Sequence, residues 1–543
     1  MTKPSNNPAA DQASGGALAP FASLSFLVLW VATVMSNVGT WMHDVGAGWL
    51  MTSLSPSPLF VALVQTATTL PIFLFALPAG ALADIIDKRK LLIAVQLVMA
   101  VAAFSLGYLV YQGQVTAYLL LAFTFVMGLG TALTAPAWQA IVPALVPRHQ
   151  LQQAVAVNSV GINISRAIGP AVGGFLIGYA IALPFIINGI SFLLVVCALI
   201  WWRPAPKPPG LLPAEGLLSA LRVGVRYALH SAPLKATLFR ALAFFLFASA
   251  YWALLPLIAR TLLQGDANLY GLMMGAVGLG AVSTAFILPS LRQRFGADKL
   301  VLLGSVGTAL CMLLLASAIN QWLAIISCFL AGGCWLAVLT SLNVSAQIAL
   351  PEWVRARGLA VFVTVFFGAM SMGSLSWGQF SSLFGIQITL ITAAAALLLA
   401  IPLSWRFKLQ QGANLDLSPS MHWPQPVVDG DIEHDRGPVM ITVEYLIDSG
   451  QAEAFYHVVF ELKGQRYRDG AYSWGLFEDT ARPGRYIEYF LVESWLEHLR
   501  QHQRVTQADA AIQARVHAFH QGDAKPRVEH YIAAAFAGER SRG

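Results

Sequence analysis

The chain has 543 residues, of which 57% are hydrophobic and only 11% charged. Soluble domains carry about 25% charged residues, so this chain cannot cover a water-facing exterior of its own size and must place most of its surface in lipid. Residues 1–409 hold 20 Lys and Arg against 8 Asp and Glu, whereas residues 410–543 hold 13 against 19. The chain is therefore a basic membrane part joined to an acidic part of ordinary charge density. A basic nucleic-acid binder is excluded because the cations sit between apolar runs.

A spanning helix needs about 20 apolar residues. In chain order the sequence predicts a polar, disordered tail over 1–20 and six spans at 22–51, 58–84, 91–112, 116–146, 153–180 and 182–202. A linker over 203–235 follows, opening with Pro204, Pro206, Pro208 and Pro209 and continuing as a basic amphipathic stretch, Leu217–Leu229. Six more spans follow at 236–262, 268–291, 299–318, 321–348, 357–384 and 387–405. The membrane halves are thus 21–202 and 236–408. A six-plus-six plan suggests two structural repeats around a central pathway.

Alternate links carry Lys88, Arg89, Lys90, Arg148, Arg203, Lys207, Arg222, Arg226, Lys235, Arg292, Arg294, Lys299, Arg355, Arg357, Arg406 and Lys408. The other links carry Arg260. The positive-inside rule puts the basic side, both termini and the acidic C-terminal part in the cytoplasm. The four cysteines lie in apolar runs without metal-ligand spacing and read as small buried hydrophobes.

Residues 409–437 read as a linker and 438–536 as an α+β domain. Val439–Ile447 alternates as a strand, Ala452–Arg466 reads as a helix, and Tyr472, Trp474 and Leu476 alternate on a second strand. A third strand runs through Tyr486–Val492, and 494–520 is helical with a break near Val505-Thr506. Val528–Ala533 completes a β-α-β-β-α-β order, a ferredoxin-like plan. His498 and His502, and His517 and His520, fall at helical spacing. We read them as solvated helix-face residues rather than metal ligands, and expect no metal and no cofactor.

Two polar faces run through the apolar spans. Ser36, Thr40, His43 and Asp44 share one face of the first span, and Ser159, Asn163, Arg166 and Pro170 one face of the fifth. A charge at bilayer depth costs about 2.5–3.5 kcal/mol or more, so Asp44 and Arg166 should face the bundle interior or water. Asp44 is the candidate proton carrier; the alternative is a hydrated residue near the outer mouth. Arg166 has three readings: a partner of Asp44, a ligand for an anionic substrate, or a structural tie to carbonyls. Gln65, Trp138, Gln139, Asn188, Arg240, Trp252, Asn343 and Gln379 are weaker pathway candidates. No phosphate-binding loop with Lys-Ser or Lys-Thr is present, which argues against ATP-driven transport.

Gly80, Asp84, Lys88, Arg89 and Lys90 resemble the signature of the major facilitator superfamily, although Ile85 and Asp87 stand where that family usually has Arg and Gly. The resemblance implies a cytoplasmic gate in which Asp84 faces the helix N-terminus near Arg357-Gly358; plain topogenic charge at a tight turn is the simpler alternative. Gly161, Gly169, Pro170, Gly173 and Gly174 resemble the glycine- and proline-rich signature of antiporters and exporters in that superfamily, and imply export. The stretches 466–475 and 493–502, with the twelve spans, resemble the transmembrane secretion effector branch, near the enterobactin exporter. The last domain is similar to the dimeric α+β barrel group. Together these resemblances imply a proton-driven exporter of a small molecule (siderophore, drug or hydrophobic metabolite) in a bacterial inner membrane, not an enzyme. The domain's resemblance also implies self-association through the C-terminal part. The alternative is a membrane-anchored cytoplasmic enzyme or sensor module.

Overall fold

The computed structural model describes residues 18–203, 217–317, 320–409, 415–420, 422–423, 432–433, 436–522 and 525–534. The tail before Leu18 and the proline run 204–209 lie outside these residues. The first half holds α1 (Leu24–Leu54), α2 (Pro58–Ile85), α3 (Lys88–Tyr111), α4 (Ala117–Ile141), α5 (Leu151–Tyr179) and α6 (Leu183–Trp201). Their starts follow from local chemistry. Ser23, Asp87 and Thr116 cap α1, α3 and α4, each accepting the amide three residues on. Prolines open α2 and α6, where a missing N–H costs nothing.

The linker holds α7 (Leu217–His230), and the second half holds α8 (Ala232–Leu257), α9 (Ala267–Ser317), α10 (Gln321–Ile348), α11 (Arg355–Phe384) and α12 (Ile386–Trp405). Eleven helices among the described residues are long and apolar enough to cross a membrane. The count falls one short of twelve because α9 runs for 51 residues, about 76 Å at 1.5 Å per residue. That is more than twice the hydrocarbon thickness of about 30 Å. Gly296, at φ 72° and ψ 171°, breaks it where the expected eighth and ninth spans meet.

Apolar side chains also cover the outside of the bundle, as lipid exposure requires. Val98, Val101 and Tyr108 are exposed on α3, and Leu399 and Leu403 on α12. One expectation fails here. Cys311 and Cys328 are buried and Cys334 is half-buried, but Cys197 is exposed. It lies on an outward face of α6 with Leu193, Leu194 and Ile200. An apolar residue facing lipid needs no protein burial.

Two compact units emerge. The first comprises residues 1–214, 240–341 and 363–406; the second comprises 215–239, 342–362 and 407–543. Within the second, β1 (Val439–Leu446), α13 (Ala452–Asp469), β2 (Ser473–Glu478), β3 (Arg485–Val492), α14 (Trp495–Arg504), α15 (Gln507–His517) and β4 (Arg527–Ile532) form an antiparallel sheet in the order β2-β3-β1-β4 with helices on one face. This is the expected ferredoxin-like plan. Val439, Ile441, Val443 and Tyr445 alternate inward on β1, and Tyr486, Glu488, Phe490 and Val492 on β3. The helix break near Val505 is a new start: Thr506 caps α15 in a reciprocal capping box with Asp509.

His498 corrects the sequence reading. It is 1% exposed, because α14 turns Trp495, His498 and Gln501 inward against the domain core. Burial, then His530 and His502, lower its pKa to about 3, so it is neutral in the fold. Glu488 is also fully buried. Burial disfavours its charge, but Arg466 outweighs this, with bonds from Arg466 Nε at 2.9 Å, Tyr445 Oη at 2.9 Å and Trp474 Nε1 at 3.0 Å. Its pKa is held below the usual carboxylate range.

Also within this unit, α7 and the turn at Glu352–Val354 are fastened to the sheet domain. Arg226 Nη2 lies 3.0 Å from Glu497 Oε1, and Arg226 Nη1 donates to the Gly470 carbonyl at 3.3 Å. Glu497 is shared with Arg504 at 2.5 Å and Arg500 at 3.8 Å. Arg222 reaches Glu493 at 2.8 Å, and Arg504 lies over the Trp353 ring at 4.8 Å. His230 stacks on Tyr467.

Candidate functional site

The site is built from α1, α5 and the helices of the second half that meet them in the first compact unit. Glycines set the distance between α5 and α1. Gly161 faces Val34 and Trp30, Gly169 faces Val38 and Trp41, and Gly173 faces Met42. Gly174 faces Gly271 of α9; a Cβ on Gly174 would stand 2.7 Å from the Gly271 Cα and from the Ala267 carbonyl. Only glycine permits that approach. Pro170 is buried inside α5, and its carbonyl also lies against Gly271.

The opposite seam, α2 on α11, is closed over a comparable length. The Leu59 amide donates to Ser382 Oγ at 3.1 Å, Thr66 Oγ1 to the Ser371 carbonyl at 3.4 Å, and Gly368 packs on Phe73. Arg260, in the turn Ile258–Leu262 that follows α8, reaches α1 by donating to Thr52 Oγ1 at 2.8 Å and Ser53 Oγ at 2.5 Å. These contacts lie in the middle of the bundle and at the end away from the basic links. Towards the basic end, Gly80 has no atom within 4 Å of where a Cβ would stand.

Asp44 lies two-thirds along α1 and is half-buried. Among the described residues its carboxylate has no hydrogen bond and no ion pair. One turn on, the Tyr270 hydroxyl lies over Gly48, 3.0 Å from where a Cβ would stand, and Tyr270 stacks on Trp49 at 6.2 Å. Its neighbour His43 is buried, edge-on to Phe185, with neither ring nitrogen bonded.

Arg166 sits at the middle of α5. Its guanidinium lies over the Trp41 ring at 5.7 Å, and its buried Nε has no acceptor. No ion pair joins it to Asp44. Trp41 and Asp44 are three residues apart on α1, and Arg166 faces the first of them. Ser159 is exposed and Asn163 half-exposed on the same face of α5, and each bonds a carbonyl of its own helix.

The basic motif is only partly visible. Gly80 is half-buried in α2, while the Asp84 side chain lies outside the described residues. Arg89 donates to the Leu199 and Ile200 carbonyls at 2.7 and 2.9 Å, capping the C-terminus of α6 with a cation. That anchor was not expected from the motif. Lys90 is exposed and Lys88 half-buried at the start of α3.

Of the weaker candidates, Asn188 is fully buried beside Ser191, against Gly39, and serves packing. Arg240 is paired with Asp298 and lies over Trp405. Asp298 is not legible as a partner from sequence, where its only signal is a carboxylate flanking the eighth-to-ninth break. Among the described residues no group of three or more His, Cys, Asp or Glu is placed to hold a metal ion.

Comparison with known proteins agrees with this architecture. The staphyloferrin A transporter of Staphylococcus aureus (strain NCTC 8325 / PS 47) is 24% identical over 68% of this chain and 90% of its own length. The putative multidrug resistance protein MdtD of Salmonella typhimurium is 26% identical over 66% and 87%. The macrolide efflux protein A of Streptococcus pyogenes is 25% identical over 28% and 38%. Among solved structures, a bacterial homologue of the human lysosomal transporter Spinster, inward-facing and unoccupied, superposes with a TM-score of 0.53 at 15% identity, over 73% of this chain and 98% of that one. The nucleoside transporter NupG gives 0.53 at 13%, over 70% and 98%. These likenesses carry the fold. The transmembrane secretion effector family matches residues 15–537, nearly the whole chain, and the protein belongs to that family of major facilitator transporters.

Proposed function

We propose that the protein is a proton-coupled exporter of a small molecule, working by alternating access in a bacterial inner membrane, with both termini and the sheet domain in the cytoplasm. The observation that carries this reading is the seam geometry. The halves close on Gly174 and Gly271 at the end away from the basic links. By the positive-inside rule that end faces away from the cytoplasm, so this glycine seam is the contact that must open for an exported molecule to leave. The relatives named for siderophore transport, multidrug resistance and macrolide efflux support export and a small-molecule substrate.

Asp44 carries the coupling in this reading. Protonation lets a carboxylate cross between states at lower electrostatic cost, and among the described residues no cation pairs with Asp44. Asp84, Lys88, Arg89 and Lys90 form the cytoplasmic gate that closes when the halves rock the other way. The chain's own work is transport rather than catalysis, with no cofactor. Self-association through the sheet domain is supported by its uncovered face, which carries Ile487, Tyr489, Leu491 and the exposed Phe477.

Efflux from cells expressing the protein, measured with a fluorescent cation and a catecholate siderophore with and without a protonophore, tests this. Gradient-dependent efflux of either supports export. Turnover by a purified sheet domain, with no transport by the full chain, would favour the anchored-enzyme reading.

A further inference from the structure

Three other arginines of the membrane part show how this chain satisfies such a cation. Arg240 has the Asp298 carboxylate. Arg260 has the hydroxyls of Thr52 and Ser53. Arg89 has the Leu199 and Ile200 carbonyls in the last turn of α6. Arg166 has none of these. Its five N–H donors have no protein acceptor among the described residues, and its contact is the π face of Trp41.

That contact has a consequence for geometry. A ring under one face holds a guanidinium in its plane while leaving the N–H edge free. The platform is itself fixed. Gly169 lies under the Trp41 side chain and Gly173 against Met42, so α5 and α1 hold both partners in register. On the second half, Gly278 of α9 lies against the Arg166 carbonyl. Ser159 and Asn163 approach along the same helix face and spend their donors on their own backbone. The arrangement is a pre-oriented fork, at mid-bundle, with nothing among the described residues for it to hold.

Of the three roles open to Arg166, two are disfavoured. It makes no pair with Asp44, and no carbonyl accepts from it. We infer that Arg166 binds an anionic oxygen pair on the transported molecule, so that the substrate is a small carboxylate-class anion rather than a cation or a neutral drug. The inference rests on the export reading and names the substrate class of that same pathway. Planar bidentate geometry favours a carboxylate over a point anion.

Two measurements test it. The first needs no ligand. Arg166→Gln in the purified full chain removes an unpaired charge, so its thermal midpoint should equal or exceed that of the wild type. A fall of about 2 °C or more would make Arg166 a structural tie and overturn the inference. The second is transport by membrane vesicles, with carboxyfluorescein as the anionic probe and ethidium as the cationic one. Gradient-driven transport of carboxyfluorescein should fall at least about tenfold in Arg166→Gln, the loss of one charge-assisted contact, and less in Arg166→Lys. Ethidium transport by wild type and Arg166→Gln alike, without carboxyfluorescein transport, would overturn the inference and leave the export reading standing. Gradient-driven transport of neither probe would count against both.

Discussion

The fastening of α7 to the sheet domain predicts an ordered set of losses when its charges are neutralised one at a time. Arg226 and Glu497 are 14% and 11% exposed, so their pair is only weakly screened by water. Arg226→Gln removes one charge-assisted bond, worth about 1.5–3 kcal/mol, and weakens a carbonyl bond at Gly470. Glu497 still keeps Arg504 and Arg500, so the larger penalty of an orphaned buried charge does not apply. The expected cost is about 2 kcal/mol, roughly a 30-fold rise in opening of the contact. Glu497→Gln instead takes the carboxylate from both Arg226 and Arg504, leaving them the Gly470 and Asp469 carbonyls, and should cost about 3–5 kcal/mol. Arg222→Gln breaks a pair that is 65% and 52% exposed, so it should cost at most about 1 kcal/mol. Amide hydrogen exchange at residues 222–230 and 495–504 of the full chain reads this opening directly. The order Glu497, Arg226, Arg222 is the prediction. Equal exchange in all three variants, or none above the wild type, would refute the argument that Glu497 is the centre of the contact.

Two further predictions follow from the same reasoning. Gly174→Ala should force α5 from α9 at an overpacking cost of about 1–3 kcal/mol, because the added carbon meets the Gly271 Cα and the Ala267 carbonyl. Thiol labelling of a cysteine at position 267, with the four native cysteines replaced, should rise; unchanged labelling would mean the seam closes elsewhere. The sheet domain should also lose stability as pH falls. His498 is held neutral with its pKa lowered to about 3, against about 6.5 unfolded. Its contribution is fully present above pH 6.5 and is lost as pH falls towards 3, amounting to about 2 kcal/mol between pH 7 and 5. His498→Gln should flatten that dependence in urea unfolding of the full chain, and an unaltered slope would clear His498 of the effect.

Much of this architecture was legible because its signals are periodic. The twelve apolar runs follow bilayer thickness, and the inward alternation of Val439–Tyr445 and Tyr486–Val492 follows the pleat. Gly296 could be placed between the eighth and ninth spans but not given its conformation, because a single positive φ leaves no periodic trace. His498 was misread because two histidines at helical spacing say nothing about which helix face is covered. The pairs Arg240–Asp298 and Arg226–Glu497 join residues 58 and 271 positions apart, and no local pattern encodes such a meeting. Arg89 belongs to a motif associated with gating, yet here it caps α6, because the two carbonyls it meets are set by how α3 packs on that helix. Asp44 and Arg166 were both found by one rule, the cost of charge at bilayer depth. That rule says a partner is needed without saying what it is.

The central claim is that Asp44 couples export to the proton gradient. The most direct test is transport by wild type and Asp44→Asn, each reconstituted in liposomes, with and without an imposed pH gradient. The account predicts that the gradient drives wild-type accumulation, while Asp44→Asn still exchanges substrate across the membrane but no longer concentrates it. Accumulation by Asp44→Asn equal to that of the wild type under the same gradient would contradict the account and remove Asp44 from the mechanism.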